Sequence, residues 1–147
     1  LDKVLGYSHH QYIQDEILSS IALTNTYSLL SEVNLDDVLS GYHHDIEPDV
    51  KEIDYIGPGG SMVATAQDVG VFLRTLIGGS LLSEDEQAMY SSVYEYEHTG
   101  WVLGYQSVAR YDEEADAVVI LFVNSTGGDS EATIPILYDR IVLVVRG

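Results

Sequence analysis

The sequence predicts an α+β fold in which helices pack on an antiparallel sheet. The main observation is a continuous apolar run at 117–124, which is typical of a strand buried on both faces. An alternating segment at 104–111 precedes it, and the polar turn 112–116 lies between the two, so together they predict an antiparallel hairpin. A short strand is expected near 94–99. Amphipathic stretches with clear start signals lie on both sides of these strands and predict the packed helices.

The first part of the chain is less regular. Apolar residues at helical spacing predict a helix over 7–18. Residues 19–56 show little periodicity, and we expect irregular chain with short turns and one small helix around 34–39. The segment Gly57-Pro58-Gly59-Gly60 then interrupts any regular element.

Thr65 opens the strongest helix in the sequence. In the pattern Thr-x-x-Asp, we expect the Thr65 hydroxyl to accept a backbone N–H and the Asp68 carboxylate to reach back to Thr65, as in a capping box. Apolar residues follow on one face, and Gly78-Gly79 ends the helix.

Two more helices are predicted. Ser83 is followed by Glu84-Asp85-Glu86, three acidic residues that favour a helix N-terminus, and this helix is expected to run to about Ser91. The last helix is expected from about Ser130, with Pro135 in its first turn, where the missing N–H costs little.

The composition restricts the classes of function. The chain has 147 residues, one domain's worth, and its 6 basic residues face 24 acidic ones for a formal net charge of −18. Such a charge repels nucleic acid and anionic membrane surfaces. It is typical of a salt-adapted protein or of an ordinary solubilising surface, and composition leaves both open. There is no cysteine, and the longest apolar run is too short to span a bilayer.

No pattern in the sequence indicates a metal or cofactor, and we expect none. His9-His10 and His43-His44-Asp45 are adjacent histidines, which do not chelate together from one helix, and they are interpreted as surface residues. The acidic turn 112–116 is interpreted as a solvated hairpin tip. Gly57–Gly60 lacks the Lys-Ser/Thr of a phosphate-binding loop.

Several segments, taken in order, resemble the serine β-lactamase-related family, which includes class C β-lactamases, penicillin-binding proteins, D-alanyl-D-alanine carboxypeptidases and some esterases. Residues 59–68, Gly-Gly-Ser-Met-Val-Ala-Thr-Ala-Gln-Asp, resemble a Gly-Gly-x-x-x-Ser-Thr-Ala-x-Asp segment, with Ala64 where Ser is usual. His98-Thr99-Gly100, followed by Gly104-Tyr105, resembles the third catalytic motif, Lys-Thr-Gly or His-x-Gly. The resemblance covers nearly the whole chain and implies a partial β-lactamase/transpeptidase-like fold.

The other two catalytic motifs of that family are absent. The sequence contains no Ser-x-x-Lys, no Tyr-x-Asn and no Ser-x-Asn, and its two lysines are Lys3 and Lys51. We therefore expect residues 1–147 to be a single partial domain, the C-terminal portion of a serine hydrolase whose nucleophile lies upstream of Leu1. Alone, the chain is expected to be inactive.

The resemblance implies roles for four consecutive residues. The backbone N–H of Trp101 would be an oxyanion donor, and His98 would orient the substrate and the proton network. Thr99 and Gly100 would contact the substrate, with Thr99 binding a carboxylate. A histidine in place of lysine favours the esterase or peptidase branches over efficient β-lactamase action. Without these motifs, His98 would be interpreted as a strand-end histidine with no role.

The resemblance also implies partners. Strand 117–124 is expected to expose an edge that pairs with the N-terminal portion of the same enzyme or with a second copy. The parent protein is expected to act on an ester, amide or lactam of a small molecule or peptide, and to be exported from a bacterium. The alternative, from a different class, is a binding or assembly module that kept the scaffold and lost the chemistry.

Overall fold

The structure is a computed structural model that describes residues 1–47, 49–55 and 60–147. The predicted breaker at 57–59 lies outside these residues. The helices are α1 (Asp2–Leu5), α2 (His9–Tyr12), α3 (Ala66–Ile77), α4 (Glu84–Val93) and α5 (Thr133–Arg146). The strands are β1 (Thr26–Tyr27), β2 (Tyr42–His43), β3 (Val63–Ala64), β4 (Glu97–Val102), β5 (Tyr105–Asp112), β6 (Ala117–Val123) and β7 (Ser125–Thr126).

The predicted α+β fold and its hairpin are confirmed. Strands β4, β5 and β6 form an antiparallel sheet in that order, and β5 pairs with β6 from Gln106–Val123 to Asp112–Ala117. The strand predicted near 94–99 lies instead at Glu97–Val102. The shift has two causes: α4 continues to Val93, and a two-residue turn, Leu103-Gly104, places the end of β4 at Val102.

Helices cover both faces of this sheet. A Cβ on Gly70 of α3 would lie 3.7 Å from Ile120, which places α3 on one face of β6. Arg110 of β5 stacks on the ring of Tyr138 of α5, with 4.9 Å between the guanidinium carbon and the ring centroid. Because Ile120 pairs with Ala109, the neighbour of Arg110 along β5, α5 lies on the opposite face. The apolar run of β6 is therefore packed between two helices, as its lack of alternation predicts.

The small pairings tie the first half of the chain to this layered unit. Strand β1 pairs antiparallel with β3, and β2 pairs parallel with β7, which directly follows β6. The helix predicted over 7–18 is present as α2 continued by a π-helical segment, Ile13–Leu18. Around 34–39 the chain forms a 3₁₀ turn capped by Asn34, whose side chain accepts the Asp36 N–H.

Helix α3 has the predicted start but not the predicted role for Asp68. The Thr65 hydroxyl accepts the Asp68 N–H at 3.1 Å, which is the expected cap. The Asp68 carboxylate does not reach back to Thr65. It is buried and accepts hydrogen bonds from the Asn25 N–H and the Thr26 hydroxyl, both at 2.9 Å. These two donors, in β1 and in the residue before it, lie beside the N-terminus of α3 and need an acceptor there.

The remaining helix predictions hold with shifted ends. Ser83 and Glu86 form a complete capping box at the start of α4. Helix α5 begins at Thr133, after a 3₁₀ turn (Gly128–Ala132), and Pro135 lies in its first turn. Within the described residues, none of the helices has the length and apolar character needed to cross a membrane.

Candidate active site

Strand β4 brings the four predicted site residues to an edge of the sheet. It pairs with β5 from Glu97–Arg110 to Val102–Tyr105, and its other side has no strand partner among the described residues. His98 and Thr99 are exposed, and Trp101 is 55% exposed. These residues are therefore accessible to a ligand that approaches the edge.

The register decides which backbone groups are free at this edge. Just before β4, the Tyr111 N–H donates to the Tyr96 carbonyl at 2.9 Å, so this pair is of the hydrogen-bonded kind. In an antiparallel ladder such pairs alternate with non-hydrogen-bonded ones. The even-numbered residues of β4 therefore bond to β5, and the peptide N–H and C=O groups of Thr99 and Trp101 point away from it. The Trp101 N–H thus has the direction that an oxyanion donor at this edge requires.

The side chains of β4 point to two different faces. His98 and Gly100 lie on the α3 face of the sheet, whereas Thr99 and Trp101 lie on the α5 face, because residues alternate along a strand. A ligand resting on one face meets only one of these pairs. A ligand that lies along the edge can contact His98, Thr99 and the outward peptide groups together.

Gly100 allows the strand to pack closely over Ser107. A Cβ on Gly100 would lie 2.5 Å from the Ser107 hydroxyl oxygen, closer than real Cβ atoms approach. Ser107 is the cross-strand partner of Gly100, and its hydroxyl therefore occupies the space beside His98 on the α3 face. The alternating pattern of β5 in the sequence does not single out Ser107 from its neighbours, so sequence analysis missed it.

Glu97, which precedes His98 along β4, forms an ion pair. Arg110 Nε lies 3.2 Å from Glu97 Oε2, and both side chains are partly exposed. The negative charge of Glu97 is therefore balanced by the positive charge of Arg110, although the chain as a whole is strongly acidic.

A cluster of hydrogen bonds, one buried and two partly buried, holds the turn that ends β4. The Gly104 N–H donates to the Thr126 hydroxyl oxygen at 2.7 Å, and Thr126 has no exposed surface. The Tyr55 hydroxyl donates to the Leu103 carbonyl at 2.8 Å, and burial raises the pKa of Tyr55. Gln106, the cross-strand partner of Trp101, donates its side-chain amide to the Ser125 carbonyl at 2.6 Å. We call Tyr55, Gln106 and Thr126 the turn clasp.

Sequence analysis missed the turn clasp for a physical reason. Its members lie far apart in the chain, and single polar residues near strand ends are common. The one usable signal was a threonine three residues after a fully apolar strand, where a buried hydroxyl needs a partner.

The residues that would supply the rest of an acyl-transfer site are not brought to β4. The Lys51 ammonium donates to the Leu35 carbonyl at 3.1 Å, and Lys3 lies in α1. Asn124, which directly follows β6, ties this strand to the loop before β2 by donating to the Ser40 carbonyl at 2.9 Å. Among the described residues, no three or more His, Cys, Asp or Glu side chains lie together in a way that could hold a metal ion.

Comparison with solved structures identifies the fold. The D-amino acid amidase from Ochrobactrum anthropi SV3 in complex with D-phenylalanine superposes with a TM-score of 0.77 over 97% of this chain and 56% of the amidase chain, at 20% sequence identity. Another structure of that amidase gives a TM-score of 0.78 over 97% and 53% of the two chains, also at 20% identity. No protein-family model and no curated protein matches the sequence.

A second solved protein shares the architecture. The D-stereospecific amidohydrolase from a Streptomyces species superposes with a TM-score of 0.72 over 84% of this chain and 46% of its own, at 17% identity. This chain spans about half the length of each of these structures. At such low identity the likeness concerns the fold, and the chain therefore has the α+β, transpeptidase-like architecture of the matched part of these amidohydrolases.

Proposed function

We propose that this chain is the C-terminal portion of a serine hydrolase that resembles penicillin-binding proteins, and that β4 forms one wall of its active site. The observation that carries the proposal is the β4 edge, which has no strand partner among residues 1–47, 49–55 and 60–147 and where the outward Trp101 N–H lies three residues from an exposed His98. The nucleophile would come from a Ser-x-x-Lys segment encoded before Leu1. Residues 1–147 would then be one part of a larger catalytic domain.

The reaction would be acyl transfer at a carbonyl. An upstream serine would attack the carbonyl carbon, and water would later hydrolyse the acyl-enzyme. Negative charge develops on the carbonyl oxygen in both steps, and a backbone N–H aimed at that position stabilises the transition state. The Trp101 N–H has this role in the proposal, with a second donor from the nucleophile's own backbone.

His98, Thr99 and Gly100 would complete the wall. His98 would hydrogen-bond the substrate or the proton network around the nucleophile, and Thr99 would bind a substrate carboxylate. Gly100 would contact the substrate, and its missing side chain leaves room for the Ser107 hydroxyl on the α3 face of the strand. The division of His98 and Thr99 between two faces supports a substrate that lies along the edge.

The first substrate class to test is the amide of a D-amino acid. The two similar solved proteins are, by name, a D-amino acid amidase and a D-stereospecific amidohydrolase. Amides, esters and lactams all pass through a tetrahedral oxyanion, so the edge geometry serves each of them. The configuration at the α-carbon would be selected by residues outside β4.

The test uses the gene product that contains this chain. A fluorophosphonate probe should label one serine, which peptide mapping should locate before Leu1, and D-phenylalanine amide should be hydrolysed. The separate 147-residue chain should show no labelling and no turnover of this amide, a p-nitrophenyl ester or a chromogenic cephalosporin. Stoichiometric labelling of a serine within residues 1–147 would contradict the proposal, as would a reading frame without Ser-x-x-Lys.

A variant assigns the role of His98. In the gene product, His98→Ala should lower kcat/KM on the order of 10²-fold or more, because an active-site polar partner is lost, with little change in stability. His44→Ala is the matched control, since His44 is also exposed but lies beyond β2. If the two variants keep the same kcat/KM as the parent, His98 is a strand-end residue without a catalytic role.

A second candidate function follows from the other edge of the sheet. Strand β6 pairs only with β5 among the described residues, and Phe122 is 40% exposed beside this edge. Free N–H and C=O groups of an edge strand are a template for another strand. A binding or assembly module would use this edge directly, whereas the proposed hydrolase would cover it with its own N-terminal portion.

Light scattering distinguishes the state of this edge. The separate chain should dimerise or bind the N-terminal portion, more readily at high salt, because screening weakens the repulsion due to a net charge of −18. A monomer at both low and high salt, with slow amide exchange of β6 limited to the β5 side, would contradict an assembly role.

A further inference from the structure

We infer that the turn clasp is a positioning device for the β4 edge, with Thr126 as its central residue. This inference rests on the proposed function, because it assigns to Tyr55, Gln106 and Thr126 the task of holding the Trp101 N–H in place. None of the three touches the edge at which a substrate would lie. They act through the turn Leu103-Gly104 and through the strand opposite Trp101.

The turn clasp is itself anchored. Thr126 belongs to β7, which pairs in parallel with β2. The Tyr42 N–H donates to the Asn124 carbonyl at 3.1 Å, and the His44 N–H donates to the Thr126 carbonyl at 3.0 Å. Asp49 in turn accepts the Gly41 N–H at 2.8 Å, just before β2. The Thr126 side chain is therefore held by backbone contacts on both sides.

The turn Leu103-Gly104 has no room to move. Gly104 is buried with a φ of +84°, and a Cβ there would overlap the Val50 side chain and lie 3.2 Å from the Gly41 carbonyl carbon. Within the part of the chain that the structure describes, its N–H has one partner, the Thr126 hydroxyl. A buried N–H without a partner costs about 1–3 kcal/mol, so the turn is stable only where Thr126 can accept it.

The turn is connected to the β4 edge through the two strands that it joins. Trp101 lies two residues before Leu103, and its partner Gln106 lies two residues after Gly104. Tyr55 fixes the Leu103 carbonyl, Thr126 fixes the Gly104 N–H, and the Gln106 amide fixes the strand opposite Trp101. An oxyanion donor must lie within a few tenths of an ångström of its ideal place, and a displacement near 1 Å lowers rates on the order of 10²-fold.

Thr126→Val tests the inference, because valine keeps the shape and removes the acceptor. Thr26→Val is the matched control, since Thr26 is also buried and loses one hydroxyl hydrogen bond, to Asp68, far from β4. In the gene product, Thr126→Val should lower kcat by 10- to 100-fold with little change in KM, whereas Thr26→Val should lower stability similarly and leave kcat unchanged. Thr126→Ser, which retains the acceptor, should restore kcat.

A second readout does not depend on activity. Trp101 is the only tryptophan of residues 1–147, so in a gene product whose tryptophans outside these residues are replaced by phenylalanine its fluorescence reports on β4 alone. Its steady-state anisotropy should fall in Thr126→Val and, to a smaller extent, in Tyr55→Phe, and should not change in Thr26→Val. Tyr55→Phe keeps the test usable if Thr126→Val does not fold, since it removes only the hydroxyl at the turn.

The two readouts separate failure of this inference from failure of the proposed function. If the gene product has no hydrolase activity, the proposed function fails, and the Trp101 anisotropy alone decides the positioning role. If the gene product is active but Thr126→Val keeps the parent kcat, the inference is overturned. Unchanged anisotropy in both clasp variants overturns it as well.

Discussion

The two hairpin turns of the sheet are held in opposite ways. The turn Leu103-Gly104, at the end of β4, is held by neutral buried groups, with Thr126 as the acceptor of the Gly104 N–H. The β5–β6 turn at 113–116 is held by two arginines, Arg74 of α3 and Arg146 of α5. One end of the sheet thus relies on burial and the other on charge.

Of the two arginine contacts of the β5–β6 turn, the Arg74–Asp116 pair is exposed and the Arg146–Asp112 pair is partly buried. Arg74 donates to both carboxylate oxygens of Asp116, at 2.5 and 3.1 Å, and both side chains are more than half exposed. Arg146 donates to both oxygens of Asp112, whose side chain is 5% exposed, and also lies 2.7 Å from Glu114. Water and salt therefore reach this turn more easily than the other one.

This difference matters for a candidate active site. Neutral buried hydrogen bonds do not change with salt or over ordinary pH, so a turn held by them keeps its geometry across conditions. Ion pairs weaken with salt and with acid. The structure places the insensitive contacts beside the proposed catalytic edge and the sensitive ones at the far end of the sheet.

The largest expected effect is at the buried turn. Gly104→Ala should lower the free energy of unfolding by about 2–5 kcal/mol, because a left-handed φ costs an L-residue about 1–2 kcal/mol and the overlap with Val50 adds about 1–3. Gly79→Ala is the control, since Gly79 has a φ of +72° and open space around its Cβ position, so only the first cost of about 1–2 kcal/mol applies. Urea unfolding measures both, and equal losses would show that the turn is not tightly packed.

The contrast between the turns also shows what sequence can predict. The β5–β6 hairpin was predicted because its signal is local: an alternating strand, a polar turn and an apolar strand in succession. Helices α3 and α4 were predicted for the same reason, since Thr65 and Ser83 cap helices through residues three positions away.

The contacts that sequence did not predict join distant parts of the chain. Thr26 and Asp68 are 42 residues apart, and Gly104 and Thr126 are 22 apart. Their local context offers each residue an equally good alternative, such as the capping role expected for Asp68. Two-residue strands such as β1 and β2 carry no periodicity from which they could be recognised.

The candidate site was predicted in part. Sequence located His98 to Trp101 as one segment, and their catalytic roles stay predictions. The direction of the Trp101 N–H depends on the register, which the turn determines. A strand placed at 94–99 leaves that direction undefined, because a shift of one residue exchanges the outward and inward peptide groups.

The next effect concerns acid at the charged turn. Hydrogen bonds from Arg146 lower the pKa of Asp112 below its ordinary value of 3.8, so the carboxylate stabilises the folded state at pH values above 3.8. This stabilisation is lost as the pH falls from 3.8 through the lowered pKa of the folded state. Asp112→Asn should therefore destabilise the protein at pH 7, and the difference from the parent should vanish at low pH.

Urea unfolding at several pH values tests this sign, with Thr126→Val as the comparison at the neutral turn. The loss of stability caused by Thr126→Val should stay constant from pH 7 to acid, since threonine and valine have no ionisable group. An Asp112→Asn effect that stays equally constant would mean that Arg146 contributes nothing through charge.

The smallest effect is expected at the exposed pair of Arg74 and Asp116. Arg74→Gln removes the pair and also makes the net charge one unit more negative, so its raw effect mixes two causes. Arg140→Gln of α5 changes the charge equally, and no ion pair of Arg140 is found in the described part of the chain. The difference in stability between the two variants isolates the contribution of the Arg74–Asp116 pair.

Because the Debye length is about 3 Å at 1 M salt, this difference should disappear there, while all forms become more stable as the repulsion due to the net charge of −18 is screened. Thermal unfolding of the three proteins at low and high salt measures both trends. A difference that persists at 1 M salt would show that Arg74 acts through packing on the Tyr111 ring, whose centroid lies 5.7 Å from its guanidinium carbon. The β5–β6 turn would then depend on packing, as the Leu103-Gly104 turn does, and not on charge.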